Sequence, residues 1–459
     1  MSVRASPPAS AEPRRAPGPG VIGLATRLLR VRRDPIGVLM EDARRFGDVV
    51  RYRFGLDEVL LIRHPAHIHH IFVRNDRNYW RGPLYDPVRH VTSDSLLTTD
   101  GAEWNKRRRL MSPAFSRRRL AMLSETMVEE IEWLLKRWER FAHAGQSLNV
   151  AAEMYPLTQR IVGRALFGSD LSGQVETITG AVNDLRLDVD RRSMNVFTLP
   201  DWIPTRGSLR YRRGSANLDR VVYAIIRDRR QREARKEDLL SMMMEARDEE
   251  TGEVLSDSDL RNEIALILVA GHETTAALLG WTLHLLHRHP EVLACLDEEI
   301  ERVLAGRRPC FDDLKSLPYS SRVIREVLRL FPPAWIIDRR AVEDDAVGAY
   351  AIPAGAAVVL SAYVTHRHPE FWPEPERFDP DRFLREAVAA RPAEAYVPFG
   401  AGPRTCIGSQ FALTEAQLVL ASLLQRFRIR VHEGQEPGME PSVALRLRKG
   451  LMASLEVRS

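Results

Sequence analysis

The stretch Pro398–Ala412, PFGAGPRTCIGSQFA, holds one of only three cysteines in the chain, Cys406, between small and flexible residues. A helical pattern begins right after it, so free N–H groups and the positive end of a helix dipole lie beside the sulfur. Both favour thiolate and predict a lowered thiol pKa. Gly400, Gly402 and Gly408 let the backbone turn with positive φ or approach a flat ligand closely. Arg404, two residues before the cysteine, suits a carboxylate through its two-pronged donor. A thiolate among N–H donors with an arginine nearby fits a haem, the sulfur on iron and the arginine on a propionate.

A buried structural cysteine beside a turn is the plainer reading of an isolated Cys-x-Gly. Here Phe399, Gly402, Arg404, Cys406 and Gly408 fall at five fixed offsets. At ordinary residue frequencies that coincidence occurs in roughly one chain in 10⁴.

The loop FGAGPRTCIG resembles the haem-binding loop of the cytochrome P-450 superfamily, the haem-thiolate monooxygenases, in their soluble bacterial form. The resemblance implies Cys406 as axial ligand of haem b. It implies a mainly α fold with small β-sheets (α+β), a triangular helical prism with the haem between a long helix and the cysteine-bearing helix. Phe399, Gly400, Arg404 and Gly408 would frame the cofactor.

Further stretches extend the likeness over about residues 20–458. AGHETT, Ala270–Thr275, is similar to the family's oxygen-side motif. Ala270 and Gly271 would give O2 room, Gly271 by letting the helix bulge. Thr274 would hydrogen-bond the O2, and Glu273 would help relay the protons that O–O cleavage needs. WNKRRR puts Trp104 and Arg108 on one helix face, four residues apart, where the family binds a propionate. Arg339 in IIDRR matches another propionate arginine, with Arg340 beside it. Glu-x-x-Arg occurs five times, starting at Glu12, Glu41, Glu299, Glu326 and Glu374, so the motif alone says little. The copy at Glu326 and Arg329 precedes LFPP and looks like the family's structural pair. Its third partner is expected to be Arg377, of PERF.

These residues need scaffolding, and the chain supplies it. The long helix is expected from the Ser256–Asp259 capping region to just before Pro290. Residues 48–63 alternate around Gly55, a hairpin pattern. Residues 348–366 read as short strands, and residues 368–383 as a proline-punctuated irregular segment. The first 20 residues, rich in Pro and Ala, read as a flexible tail, and residues 21–459 as one catalytic domain.

Composition bounds the rest. A net charge of +5 over 459 residues is too mild to imply nucleic acid. Basic runs at 106–109, 117–119 and 227–236 read first as solvated helix faces. No h-region opens the chain, and the aliphatic run Ile264–Ala270 is far short of the ~20 residues that span a bilayer, so the expected location is cytoplasmic, with no membrane span. Three cysteines make no disulfide framework.

Substrate contacts are expected from residues 78–99, 187–210, 263–270 and 334–338. Trp80, Tyr85, Phe197, Trp202, Trp335, Ile336 and Ile337 suggest an apolar ligand, and Asp338 a polar anchor or a partner of a neighbouring arginine. The expected reaction is hydroxylation or epoxidation of a hydrophobic natural-product skeleton such as a terpenoid, within secondary metabolism. A fatty acid or polyketide is the alternative. The family's fatty-acid hydroxylases hold the substrate carboxylate with an Arg and a Tyr on an early strand, where this chain has Asp57 and Leu61. A non-catalytic haem sensor would use the cysteine loop but not Glu273 and Thr274. Electrons are expected from a separate ferredoxin or flavodoxin with its reductase, docking near residues 106–109.

Overall fold

The computed structural model describes residues 13–20, 23, 24, 27, 30–55, 57–168, 175–194, 202–231, 237–248 and 250–458. Phe197, an expected substrate contact, lies outside them. The helices that position the site are α1 (Pro35–Phe46), α2 (Gly101–Met111), α3 (Arg117–His143), α4 (Val150–Phe167), α5 (Val175–Met194), α6 (Arg206–Gln231), α7 (Asp257–Arg288), α8 (Pro318–Leu330) and α9 (Ser409–Arg426). Five strands form one mixed sheet: β1 (Val49–Phe54), β2 (Asp57–Ile62), β3 (Tyr79–Arg81), β4 (Ile337–Ala341) and β5 (Ala357–Leu360), in the order β1-β2-β5-β4-β3. A late hairpin pairs β6 (Met439–Pro441) with β7 (Leu445–Leu447).

Helix α7 starts where the sequence places it. Ser256 accepts from the Asp259 N–H at 3.1 Å, and the Asp259 carboxylate accepts from the Ser256 N–H at 3.1 Å. This reciprocal capping box satisfies two otherwise orphaned donors. Asp257 and Asp259 in the first turn, and His287 and Arg288 in the last, oppose the helix dipole favourably. Helices α4, α6, α8 and α9 all pack against it, and its side chains run through the largest apolar cluster. By length and composition α7 is apolar enough to cross a bilayer, but the qualifying window is 78% buried inside the protein. It is the core rod of the fold.

The β1–β2 hairpin forms as its alternation predicts, with Val49 opposite Ile62 and Phe54 opposite Asp57. The end of the expected tail is ordered against it. Arg14 exchanges backbone hydrogen bonds with Ala349 and Ala351, and the Arg51 N–H donates to Pro17 O at 2.8 Å. Ala16 is buried. Gly18 passes so close that a β-carbon there would lie 1.8 Å from Arg51 O. Residues 13–18 therefore bind the sheet region instead of hanging free.

In two of the basic runs one arginine departs from the solvated face that was expected; residues 232–236 of the third run lie outside the described residues. Arg107 is buried and pairs with Glu103, Asp259 and Glu263. Arg229 is buried and holds Asp238, Ser241 and the Phe167 carbonyl.

Candidate active site

The cysteine loop is shaped by its glycines. Gly400 and Gly402 take φ values of +78° and +69°. At Gly402 a β-carbon would also strike Phe72 O at 1.8 Å, so only glycine fits. Gly408 does not have positive φ; a β-carbon there would lie 3.9 Å from Cys406 Sγ, so glycine keeps the sulfur's flank open. The Cys406 N–H donates to Phe399 O at 2.9 Å, which closes the loop.

Cys406 is enclosed by protein atoms yet retains accessible surface. Burial pushes the thiol pKa up, opposed by the Gly408 N–H and by Arg108. The direction is opposite to the lowered value expected from the helix terminus, because enclosure outweighs the Gly408 N–H and Arg108.

Helix α7 shows matching openness. Along its buried middle, Ala270 is exposed and Gly271 and Thr274 are half-buried, an i, i+1, i+4 patch on one face. The Thr274 hydroxyl donates to Ala270 O at 3.0 Å. The helix continues without a break at Gly271, where the missing side chain faces Val162 of α4 at 3.4 Å. The expected bulge is not seen, and a β-carbon at this glycine would make ordinary contact with Val162.

Glu273 is buried and turned from that patch. It accepts from Arg446 Nη1 at 2.7 Å and lies 3.5 Å from Arg186. Burial and Asp190 push its pKa up, while the two arginines pull it down. Arg186 also holds Asp190 at 2.8 Å, so α5, α7 and the β6–β7 hairpin meet in one ionic knot.

On the other side, guanidinium groups converge. Arg404 pairs with Asp100 at 2.7 Å, donates to Thr99 O at 3.0 Å and stacks 4.6 Å from the Trp104 ring centre. Arg339 is buried and donates to Asp338 O at 2.9 Å, while Arg340 is exposed, as strand alternation requires. Arg108 is half-buried near Cys406. Arg81 joins them from β3, and the sequence reading missed it. Its Nε is buried without a partner, and burial plus repulsion from Arg339 and Arg404 pushes its pKa down to about 9. An alternating three-residue strand next to Gly-Pro gave no signal for it.

Mutually repelling cations with an orphaned donor fit a dianionic ligand, and two haem propionates supply those charges. Asp100 and Asp338 already offset part of the positive charge. Asp338 accepts from the Leu84 N–H at 3.1 Å and, buried, has its pKa raised to about 6.

The expected structural triad is corrected in one member. Arg329 grips Glu326 through two bonds of 2.7 Å, both side chains fully buried. Arg377 contributes only its carbonyl, to Arg329 at 3.0 Å, while its side chain is exposed beside Glu374. Arg382, 3.6 Å from Glu326 and largely buried, takes the third place. The irregular segment turns the five-residue-later arginine inward.

Other expected contacts also resolve. Glu263 is not a substrate contact; it binds the Leu96 N–H at 2.9 Å and Arg107 at 2.9 Å. Trp335 is packed, donating to Ser442 O at 2.9 Å, whereas Trp80 and Trp202 face outward. A surface groove of about 630 Å³ beside α1 contains none of the predicted site residues. In the basic run, Lys106 and Arg109 pair with Glu253 and Asp248, which weakens the docking face expected there.

Comparison with known proteins agrees with this geometry. Residues 16–453 match the family model described as Cytochrome P450. The chain is 35% identical to cyclooctat-9-en-7-ol 5-monooxygenase of Streptomyces melanosporofaciens, over 90% of this chain and 89% of that protein. It is 34% identical to pentalenene oxygenase of Streptomyces avermitilis, over 90% and 91%. Its fold superposes on the crystal structure of the cytochrome P450DA heme domain with a TM-score of 0.89, at 29% identity, covering 98% and 99% of the two chains.

Proposed function

The chain belongs to the cytochrome P450 family and is a monooxygenase that uses haem iron, O2 and a redox partner, and from that premise we propose that its substrate is a terpenoid ring skeleton. The relatives named for cyclooctat-9-en-7-ol and pentalenene support the substrate class. One observation carries the proposal: the buried middle of the apolar core helix opens along one face at Ile267, Ala270, Gly271 and Thr274, with Glu273 buried behind them. An open, uncharged patch next to a hydroxyl suits an apolar ligand and leaves proton handling to Thr274 and Glu273.

Haem b, held by Cys406, supplies the O2-activating chemistry when bound. The protein residues do the rest. Arg81, Arg339, Arg404 and Arg108, with Trp104, would hold its propionates. The Gly408 N–H would tune the sulfur. The Thr274 hydroxyl would hold a proton at the oxygen-binding side, and Glu273 would resupply it on release from Arg446. Phe399, Gly400 and Gly408 leave the flat ligand room. Electrons would come from a separate ferredoxin or flavodoxin, and the enzyme would act in the cytoplasm.

A spin-shift titration of the purified ferric protein with terpenes, fatty acids and macrolides tests the substrate class. Terpenes are expected to give the largest low-to-high-spin change; a larger response to a fatty acid would overturn the choice. Thr274→Ala is expected to consume O2 with peroxide release in place of product.

A further inference from the structure

Helix α4 packs along α7, and the two come close at the turn that carries the oxygen-side residues. A β-carbon added at Gly271 would lie 3.4 Å from Val162. One turn earlier on α4, Thr158 Oγ1 donates to the His272 carbonyl at 2.9 Å, across the helix interface. Thr158 is fully buried. A second acceptor lies within its own helix, Tyr155 O at 3.2 Å. A hydroxyl has one proton to give, and the shorter contact crosses to α7.

The receiving segment carries unusual hydrogen bonding. The His272 ring places Nδ1 2.6 Å from Leu268 O, which makes Nδ1 the protonated nitrogen of a neutral ring. Thr274 donates to Ala270 O at 3.0 Å and Thr275 to Gly271 O at 3.4 Å. Four carbonyls, those of Leu268, Ala270, Gly271 and His272, thus take a side-chain donor. Such back-bonding loosens and bends a helix. Three of the donors sit on α7 and move with it. Thr158 alone belongs to another helix.

We propose that Thr158 is a positioning residue, which ties the His272 carbonyl to α4 and so fixes where Glu273 and Thr274 stand. The proposal rests on the monooxygenase reading for its consequence, but not for its geometry. Without that proton, the turn keeps the Glu273 ion pairs with Arg446 and Arg186 but loses the hydrogen bond its backbone takes from another helix, at the point where its own ladder is most heavily shared.

The test compares haem-loaded wild type with Thr158→Val, Thr158→Ala and Thr158→Ser. Valine keeps the volume and loses the donor; serine keeps the donor. Hydrogen–deuterium exchange in peptides covering residues 268–276 is expected to rise about two- to tenfold in the Val and Ala variants, the range that losing one hydrogen bond implies. Serine should restore wild-type exchange. Haem content and the ferrous carbon-monoxide band should not change, while the share of electrons released as hydrogen peroxide rises by a similar factor. Unchanged exchange or unchanged peroxide release in Val and Ala overturns the proposal, and so does a serine variant that behaves like valine. Should wild type lack the thiolate carbon-monoxide band, the functional reading fails, and the exchange comparison still decides whether Thr158 anchors the helix.

Discussion

The Arg446 guanidinium lies 2.7 Å from the Glu273 carboxylate, across 173 residues of sequence. Burial alone would drive this carboxylate towards its neutral form, and Arg446 opposes that drive. In Arg446→Leu the Glu273 pKa rises further, so the acid keeps its proton to higher pH. The limb of the kcat/KM profile that reports Glu273 should move to higher pH, and Arg446→Lys should keep most of the wild-type position. A Leu variant with an unmoved profile would mean that Glu273 does not titrate in the rate.

The corrected triad gives an order of stabilities. Arg329→Leu leaves Glu326 buried without its main partner and should cost about 3–5 kcal/mol. Arg382→Leu removes the weaker contact and should cost about 1–3 kcal/mol. Arg377→Leu, at the surface, should stay within about 0.5 kcal/mol of wild type. Urea midpoints decide, and a larger loss for Arg377 than for Arg382 would contradict the assignment.

Arg81 should affect the two states of the protein in opposite directions. Arg81→Leu removes a buried cation that repels Arg339 and Arg404, so the haem-free protein should melt no lower than wild type. The loaded protein should lose haem to a scavenger about ten- to a hundredfold faster, equivalent to the about 1.5–3 kcal/mol of one hydrogen bond to a charged group. Equal haem loss from both proteins would remove Arg81 from the propionate site.

Glu263 predicts a pH signature of stability. Burial raises its pKa from 4.5 to about 7, against the Leu96 N–H and Arg107, which pull it down. Between those values the native state binds a proton that the unfolded chain has released. Stability therefore falls as pH rises through the window, by at most about 1.4 kcal/mol per pH unit. Relative to Glu263→Gln, the wild type should lose stability from about pH 4.5 to about pH 7 and then level off. A difference that grows with pH would reverse the sign and sink the argument.

What the sequence determined by itself is local chemistry. The capping box at Ser256, the β1–β2 alternation, the φ demands of Gly400 and Gly402 and the placement of Cys406 before α9 each depend on residues within a few positions. Such rules act before the chain has folded, so they can be read from spacing. Only the tertiary structure decided which arginine joins Glu326, that Arg81 enters the basic cluster, that Glu273 is held by Arg446 and that Thr158 reaches His272. Those choices depend on how irregular segments and helix faces dock, and on burial, which also reversed the expected direction at Cys406. Desolvation is a property of the whole packed molecule, and no window of sequence contains it.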